Sequence, residues 1–201
     1  MKLLYGSQNF GYDNENSDKD WVEFIYPTID DIMNNNMTSK TKNNEDGSIT
    51  KVKDIRLLFG MIEKANFNEM QLLYSQEMHD VEDLAWFFEN RDALMRANIR
   101  SMFKSNWGFI QASLKRGQKK DLVRAEAFDN LILETMFGEG AIPFQDTRLR
   151  KYREERLFLR LQSEKFKDIA LLAEKDEELL AQAKAEVERL VRAHLIKILV
   201  E

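Results

Sequence analysis

The most informative stretch of this 201-residue chain is YGSQNFGYDNENSDKDW, residues 5–21. A short apolar run, residues 2–5, leads into it, and a run rich in aromatic and β-branched residues, 21–26, ends it. Both runs predict strands, and Gly6 predicts a tight turn at the end of the first one. The stretch therefore predicts two strands joined by a turn-rich segment, with two aspartates at the entry to the second strand.

The two aspartates, Asp18 and Asp20, flank a single lysine. Residues two apart on a strand point to the same face, so both carboxylates are expected to converge on one spot. Mg²⁺ prefers oxygen ligands, often one or two carboxylates together with substrate phosphates. Gly6 lets the backbone approach a ligand, Ser7 offers a hydroxyl to a phosphate, and a short helix beginning near Ser7 would add its amides. These parts predict a site for a metal-bound triphosphate, in which two Mg²⁺ ions would stabilise an in-line displacement.

Two simpler interpretations apply to the same residues. Asp, Asn and Ser form ordinary solvated turns, and two aspartates at this spacing arise by chance in acidic proteins. An EF-hand calcium loop that begins at Asp13 would need Gly at its sixth position and Glu at its twelfth, where this chain has Asp18 and Phe24. We discard the calcium loop, and the Gly-Ser pair upstream favours the nucleotide site over the solvated turn.

The composition narrows the class of protein. Hydrophobic residues make up 43%, enough for a core, and charged residues make up 32%, which is high but not typical of a disordered chain. Cysteine is absent, which excludes disulfides, a thiolate nucleophile and cysteine-ligated zinc. The N-terminal apolar run is too short for a signal peptide, and no run approaches the ~20 apolar residues of a membrane span. We therefore expect a cytoplasmic protein without membrane contact; the net charge of −5 argues against a general nucleic-acid coat protein but allows a local basic site.

The pattern of apolar and polar residues changes near residue 80. Residues 1–80 mix short apolar runs with polar turns, whereas residues 81–201 are nearly all helical in pattern. Residues 48–53 predict a third strand, and the Asn-rich residues 34–48 predict a mobile loop. The predicted fold is α+β, with a small mixed-sheet lobe over 1–80 followed by an all-helical lobe.

Apolar spacing predicts a helix that begins after Asp54, with Leu58 and Ile62 on one face. Further helices are predicted over residues 69–78, 81–103, 107–114, 122–137 and from 163 to the end of the chain. The ordinary role of such apolar stripes is core packing.

Two clusters of basic residues occur in the second half. The first contains Lys115, Arg116, Lys119, Lys120 and Arg124, and the second contains Arg148, Arg150, Lys151, Arg153 and Arg156. Their ordinary interpretation is a solvated helix face with ion pairs at i,i+4 spacing. Their functional interpretation is a positive wall, in which Lys119, Lys120 or Arg124 contacts a triphosphate or an RNA backbone. Tyr152, inside the second cluster, is a candidate for stacking a base.

The order GSxxxGxxxxxSDxD, which begins at Gly6 and ends at Asp20, resembles the signature of the nucleotidyltransferase superfamily of the DNA polymerase β type. It looks most like the predicted nucleotidyltransferases linked to a bacterial and phage RNA repair pathway. Weaker likeness continues through residues 54–75, which look like that family's helix–Asn–helix segment, and through residues 119–144. The resemblance implies that Asp18 and Asp20 bind metal, that the Gly-Ser pair contacts the nucleotide phosphates, and that the acceptor is an RNA or tRNA end.

The chain departs from the family pattern at two points. The family carries a Glu shortly after the Asn of the helix–Asn–helix segment, where this chain has Gln71, with Glu69 nearby. The superfamily also uses a third carboxylate on a later strand, often as the base that takes the proton from the attacking hydroxyl. Our candidate is Asp54 at the end of the third predicted strand, with Asp46 and Glu69 as alternatives.

The sequence thus predicts a metal-dependent nucleotidyltransferase that moves a nucleoside monophosphate from Mg-NTP to a hydroxyl acceptor and releases pyrophosphate. One alternative is a catalytically degenerate protein of the same fold that acts as a helical interaction module. Another is a toxin or immunity nucleotidyltransferase that modifies tRNA or protein with the same chemistry.

Overall fold

A computed structural model describes residues 1–10, 17–144 and 161–200. It confirms the α+β fold, because a five-stranded sheet at the N-terminus is followed by helices. The strands are β1 (Lys2–Tyr5), β2 (Asp20–Ile25), β3 (Ser39–Asn43), β4 (Ile49–Asp54) and β5 (Met78–His79), in the spatial order β3-β4-β2-β1-β5. The central pair, β2 and β4, is parallel, and the other three pairs are antiparallel.

The helices are α1 (Ile29–Met33), α2 (Leu57–Lys64), α3 (Phe67–Met70), α4 (Ala85–Glu89), α5 (Arg91–Arg96), α6 (Ile99–Arg116), α7 (Lys119–Phe137), α8 (Lys167–Leu172) and α9 (Glu177–Val200). Short 3₁₀ turns cover Gln71–Tyr74, Glu82–Leu84 and Ser163–Phe166. Among the described helices, α6 and α7 pack most extensively against each other. Gly117 lies between them with φ +64°, the left-handed conformation that suits a glycine. Over the described residues, no helix is long and apolar enough to cross a bilayer.

The sheet has two faces, which its register defines. Paired residues share a face, and the side alternates along each strand. Leu3, Val22 and Phe24 lie on the side that packs into the core with the helices, which we call the helical face. By the same register Tyr5, Asp20, Lys51 and Lys53 belong to the helical face. Lys40, Lys42, Trp21, Thr50 and Asp54 belong to the opposite face.

Several predicted elements differ from the structure. The segment predicted as a loop, residues 34–48, contains β3, and all five β3 residues are exposed. The predicted helix over 69–78 consists of the end of α3, a 3₁₀ turn and β5. The predicted helix over 81–103 is divided among a 3₁₀ turn, α4, α5 and the start of α6, and the predicted helix over 107–114 is part of α6. The final helix is likewise divided, because α8 and α9 are separate.

One apolar core extends across residue 80. It joins Leu3 and Val22 of the sheet to buried residues of the helices. Its centre is aromatic: the Phe128 ring of α7 lies 5.7 Å from the Phe10 ring and 5.3 Å from the Phe67 ring. The two predicted lobes are therefore packed against each other through a shared interior, and the chain segment after Gly6 is anchored in it by Phe10.

Glu126 on α7 carries a buried carboxylate oxygen, Oε2, with no hydrogen-bond partner among the described residues. Burial, and then the charge of Asp129, raise the pKa of the Glu126 carboxyl. A raised folded-state pKa means that the folded state prefers the proton, so this carboxyl lowers stability as the pH rises above its ordinary value of 4.5.

The neutral variant Glu126→Gln is therefore expected to raise the melting temperature at pH 7. The gain is expected to be small, about 2 °C, because the side chain is only half-buried. The gain should shrink below the ordinary carboxyl pKa, where Glu126 is protonated in both states. Thermal denaturation of the two proteins across this pH range measures it, with Glu45→Gln in an exposed loop as the control. An equal gain at low pH would show that charge is not the cause.

Candidate functional site

A tight turn follows β1, and its conformation is set by Gly6 and by a hydrogen bond to the buried Gln71. Gly6 has φ +88°, which a side chain strains, and its carbonyl accepts a bond of 3.2 Å from the Phe10 amide. The Gly6 amide donates to Oε1 of Gln71 at 2.9 Å. Residues 7–10, where the sequence predicts the start of a short helix, form a hydrogen-bonded turn, and the described residues of this segment extend as far as Phe10.

Gln71 and Asn9 form the buried support of this turn. Both are almost fully buried. The Asn9 amide donates to the Gln71 carbonyl at 2.8 Å, and its Oδ1 accepts from the Gln76 amide at 3.2 Å. The Gln71 side-chain amide in turn donates to the Asn68 carbonyl at 2.8 Å. Gln71 therefore fixes the Gly-Ser turn against the chain segment that follows α3.

Asp20 is the first residue of β2 and faces the Gly-Ser turn. Its Oδ1 accepts from the Ile49 amide at 3.1 Å, which fixes the orientation of the carboxylate. Its Oδ2 points at the turn, since a Cβ added to Gly6 would lie 3.4 Å from it. An alanine Cβ at position 6 would therefore just touch this oxygen. Gly6 is needed chiefly for its backbone conformation, with φ +88°.

Asp18 precedes β2 rather than lying in it, and it is exposed. Lys19 lies between the two aspartates in sequence, and its amine donates to Oε2 of Glu77 at 2.8 Å. This bond lowers the pKa of the Glu77 carboxyl. The lysine that separates the aspartates in sequence thus forms its ion pair with Glu77.

A cavity of about 720 Å³ opens at this turn, and we call it the main cavity. Its lining brings together residues from four parts of the chain: Tyr5, Gly6, Ser7, Ser17, Asp20, Ile49, Lys51, Lys119, Lys120, Val123 and Arg124. Gly6, Ser7 and Asp20, which the sequence motif singles out, therefore share one cavity with Lys119, Lys120 and Arg124, which the first basic cluster singles out.

The first turns of α7 form the positive wall of the main cavity. The exposed Lys119 and Lys120 open the helix, and Arg124 follows one turn later with its guanidinium 5.9 Å from the Phe109 ring centroid. Asp121 in the same turn is paired with Arg116 at 3.0 Å, outside the cavity lining. The amino end of a helix also carries partial positive charge. This side of the cavity suits a polyphosphate.

Asp54, the sequence candidate for the third carboxylate, does not reach the main cavity. It lies on the opposite face of the sheet from Asp20, and five residues further along β4 than Ile49, which is about 16 Å at the rise of a strand. It is buried and forms an ion pair with Arg56 at 2.6 Å. Which face of the sheet Asp54 occupies depends on the register between strands, which the sequence alone does not show. In β4 its side chain lies on the face opposite to that of Asp20.

The two alternatives to Asp54 also have other partners. Asp46 accepts from Ser48 at 2.6 Å in the turn between β3 and β4, which lowers the pKa of its carboxyl. Glu69 pairs with Lys53 at 2.9 Å beside a neighbouring pocket. The described residues hold no cluster of three or more Asp, Glu or His side chains in reach of one metal ion. Asp20 is the one carboxylate among the described residues that line the main cavity.

Lys51 lies on β4 opposite Val22, on the same face of the sheet as Asp20, and sequence reasoning missed it. Its amine lies 3.9 Å from the centroid of the Tyr5 ring and lines the main cavity. Tyr5, Ile49 and Val123 were missed as well, and Ser17 was part of the sequence signature without an assigned role. The alternation of β4 would have revealed Lys51 only once β4 was known to pair with β2. Gly11, Tyr152 and the second basic cluster lie outside the described residues.

Comparisons with protein-family models, curated proteins and solved structures found no significant match to this chain.

Proposed function

We propose that this protein is a metal-dependent nucleotidyltransferase that binds an NTP in the main cavity. One observation carries the proposal: the Gly6-Ser7 turn, Asp20 and the cationic start of α7 line a single cavity of about 720 Å³. This volume falls in the range of small-ligand sites. Phosphates next to the α7 wall would place the α-phosphate near Asp20.

One carboxylate for a divalent cation lines the main cavity: Oδ2 of Asp20 faces the Gly6 backbone. The exposed Asp18 is two residues away along the chain and outside the cavity lining, and we propose that it joins Asp20 when a metal ion is bound. A hard cation such as Mg²⁺ suits two carboxylates plus phosphate oxygens. When bound, Mg²⁺ supplies charge stabilisation at the phosphates and at the attacking hydroxyl.

The chain's own residues supply binding and orientation. Ser7 and the Gly6 turn contact the phosphates, and Lys119, Lys120 and Arg124 neutralise their charge. In the reaction the oxygen of an acceptor hydroxyl bonds to the α-phosphorus, the bond from this phosphorus to the bridging oxygen breaks, and pyrophosphate leaves. The hydroxyl proton passes to solvent water. We propose an RNA or tRNA end as the acceptor.

A second candidate function is a nucleotide-binding protein that has lost transfer activity and acts as a helical interaction module. The lining of the main cavity favours it, because Asp20 is the one carboxylate among its described residues and β4 contributes the cation Lys51 instead of a further carboxylate. The two functions share the cavity and differ in chemistry.

Ligand-dependent melting and a transfer assay separate these candidates. Each of the four NTPs is added with and without Mg²⁺, and the melting temperature is recorded. At a free concentration of a hundred times Kd, a bound NTP is expected to raise it by roughly 5–10 °C. Mixed RNA ends are then incubated with the stabilising NTP labelled at its α-phosphate, and labelled RNA is measured. Absence of any Mg-NTP effect would contradict both candidates, and binding without transfer would favour the second.

A further inference from the structure

A second pocket, of about 680 Å³, adjoins the main cavity, and we call it the side pocket. Tyr5 lines both, so the two lie next to each other on the helical face of the sheet, and together we call them the groove. The side pocket is built by the end of α2, the start of α3 and the first two turns of α6. Its other lining residues are Lys64, Asn66, Asn68, Glu69, Ser101, Lys104 and Ser105.

The groove collects positive charge on an acidic chain. Six cationic side chains and two acidic ones line the two parts together, although the whole chain has a net charge of −5. In the side pocket the single acid, Glu69, is paired with Lys53 at 2.9 Å. Lys64 and Lys104 are exposed and form no ion pair within the described part of the chain. Such a focused positive surface attracts polyanions.

The remaining groups of the side pocket are polar. They are carboxamides and hydroxyls, and apart from Tyr5 no aromatic or aliphatic residue lines it. Acidic protein motifs are typically recognised by arginine clusters, whereas the described lining of the side pocket offers two lysines and no arginine. Phosphate and sugar oxygens are instead contacted by Lys, Ser and Asn side chains, and an aromatic ring can stack a base. The lining thus suits a nucleic acid better than a protein.

We propose that the side pocket binds the backbone of a single-stranded nucleic acid, with Lys64 and Lys104 on its phosphates and Tyr5 at the border with the main cavity. That this strand is the acceptor rests on the proposed function. Its terminal hydroxyl would then approach the α-phosphate from the Tyr5 side, opposite the wall formed by α7. The binding itself does not depend on nucleotide.

The test measures binding of a short fluorescein-labelled oligouridylate by anisotropy, without NTP or Mg²⁺. The double variant Lys64→Gln/Lys104→Gln is expected to bind about tenfold more weakly. Its slope of log K against log salt is expected to be smaller by about 1.4, or about 0.7 for each phosphate contact on a single strand. The matched control Lys40→Gln/Lys42→Gln changes the same charge on the opposite face of the sheet.

Three results would overturn the proposal. They are no binding of the oligonucleotide by the wild type, an equal loss in the two double variants, and displacement of the oligonucleotide by oligoglutamate as effectively as by unlabelled oligouridylate. The rise in melting temperature with Mg-NTP is expected to be the same in Lys64→Gln/Lys104→Gln as in the wild type. This measurement tests the proposed function independently of oligonucleotide binding. A normal rise together with lost oligonucleotide binding supports both the proposed function and the nucleic-acid site.

Discussion

Replacing Asp20 with asparagine is expected to abolish the Mg-NTP-dependent rise in melting temperature and to lower nucleotidyl transfer by roughly 10²–10³-fold. The physical reason is that Oδ2 of Asp20 faces the Gly6 turn, where the metal-bound phosphates are proposed to lie. A lost metal interaction of about 3–4 kcal/mol in the transition state corresponds to this factor. Asn keeps an acceptor for the Ile49 amide, so the fold around residue 20 is retained.

The matched control is Asp54→Asn, which removes the same charge from a carboxylate of β4 on the opposite face. We expect the free protein to melt at a lower temperature, because the buried pair with Arg56 is weakened. The rise in melting temperature with Mg-NTP should be unchanged. If Asp20→Asn keeps both the nucleotide effect and transfer, the proposed function is wrong.

The second large effect is expected at Gln71. In Gln71→Met the buried Gly6 amide loses its acceptor, and the part-buried Asn68 carbonyl loses its donor. Two unsatisfied groups of this kind cost about 3 kcal/mol together, which lowers the melting temperature by roughly 6–12 °C. We also expect weaker Mg-NTP binding, because the Gly6-Ser7 turn is no longer held. The exposed Gln76→Met is the control for the chemical change.

The variant Gln71→Glu tests the bonding pattern itself. One carboxyl oxygen can accept from the Gly6 amide as Gln71 does, but the other faces the Asn68 carbonyl and must carry a proton to donate. Burial and this carbonyl both raise the pKa of the introduced carboxyl. Its stabilising contribution is then present at low pH and is lost as the pH rises. A difference in melting temperature from the wild type that does not widen with pH would contradict this arrangement.

The sheet and the main residues of the site were accessible from sequence because they follow local rules. Residues 2–5 and 21–26 are apolar or aromatic runs beside a glycine, and β1 and β2 lie there within one residue. The Gly-Ser pair and Asp20 meet because a tight turn and an antiparallel pair return the chain to its own start, so that Tyr5 pairs with Asp20. Local sequence suffices for such contacts.

Other parts required information that is not local. Strand β3 has no buried side, and only backbone bonds to β4 hold it, so the sequence shows no alternation there. The segment Gln71–Tyr74 is buried at every residue, which removes the one-sided pattern of a helix. Asp54 was predicted to lie near Asp20, and Lys51 was not considered, because only the register between β2 and β4 tells which β4 residues share a face with Asp20. This pairing of strands distant in sequence decides which side chains line the main cavity.

The aromatic interior shared by Phe10, Phe67 and Phe128 has a consequence for how ligands enter. A hinge between the sheet and the helices would have to separate these rings and expose them to water, so the two halves are expected to move as one body. Entry to the main cavity then depends on the exposed side chains at its rim, such as Lys119 and Lys120, which reorient within nanoseconds. If a nucleotide binds here as proposed, its exchange is expected to depend on the strength of the phosphate contacts rather than on a hinge motion between the sheet and the helices.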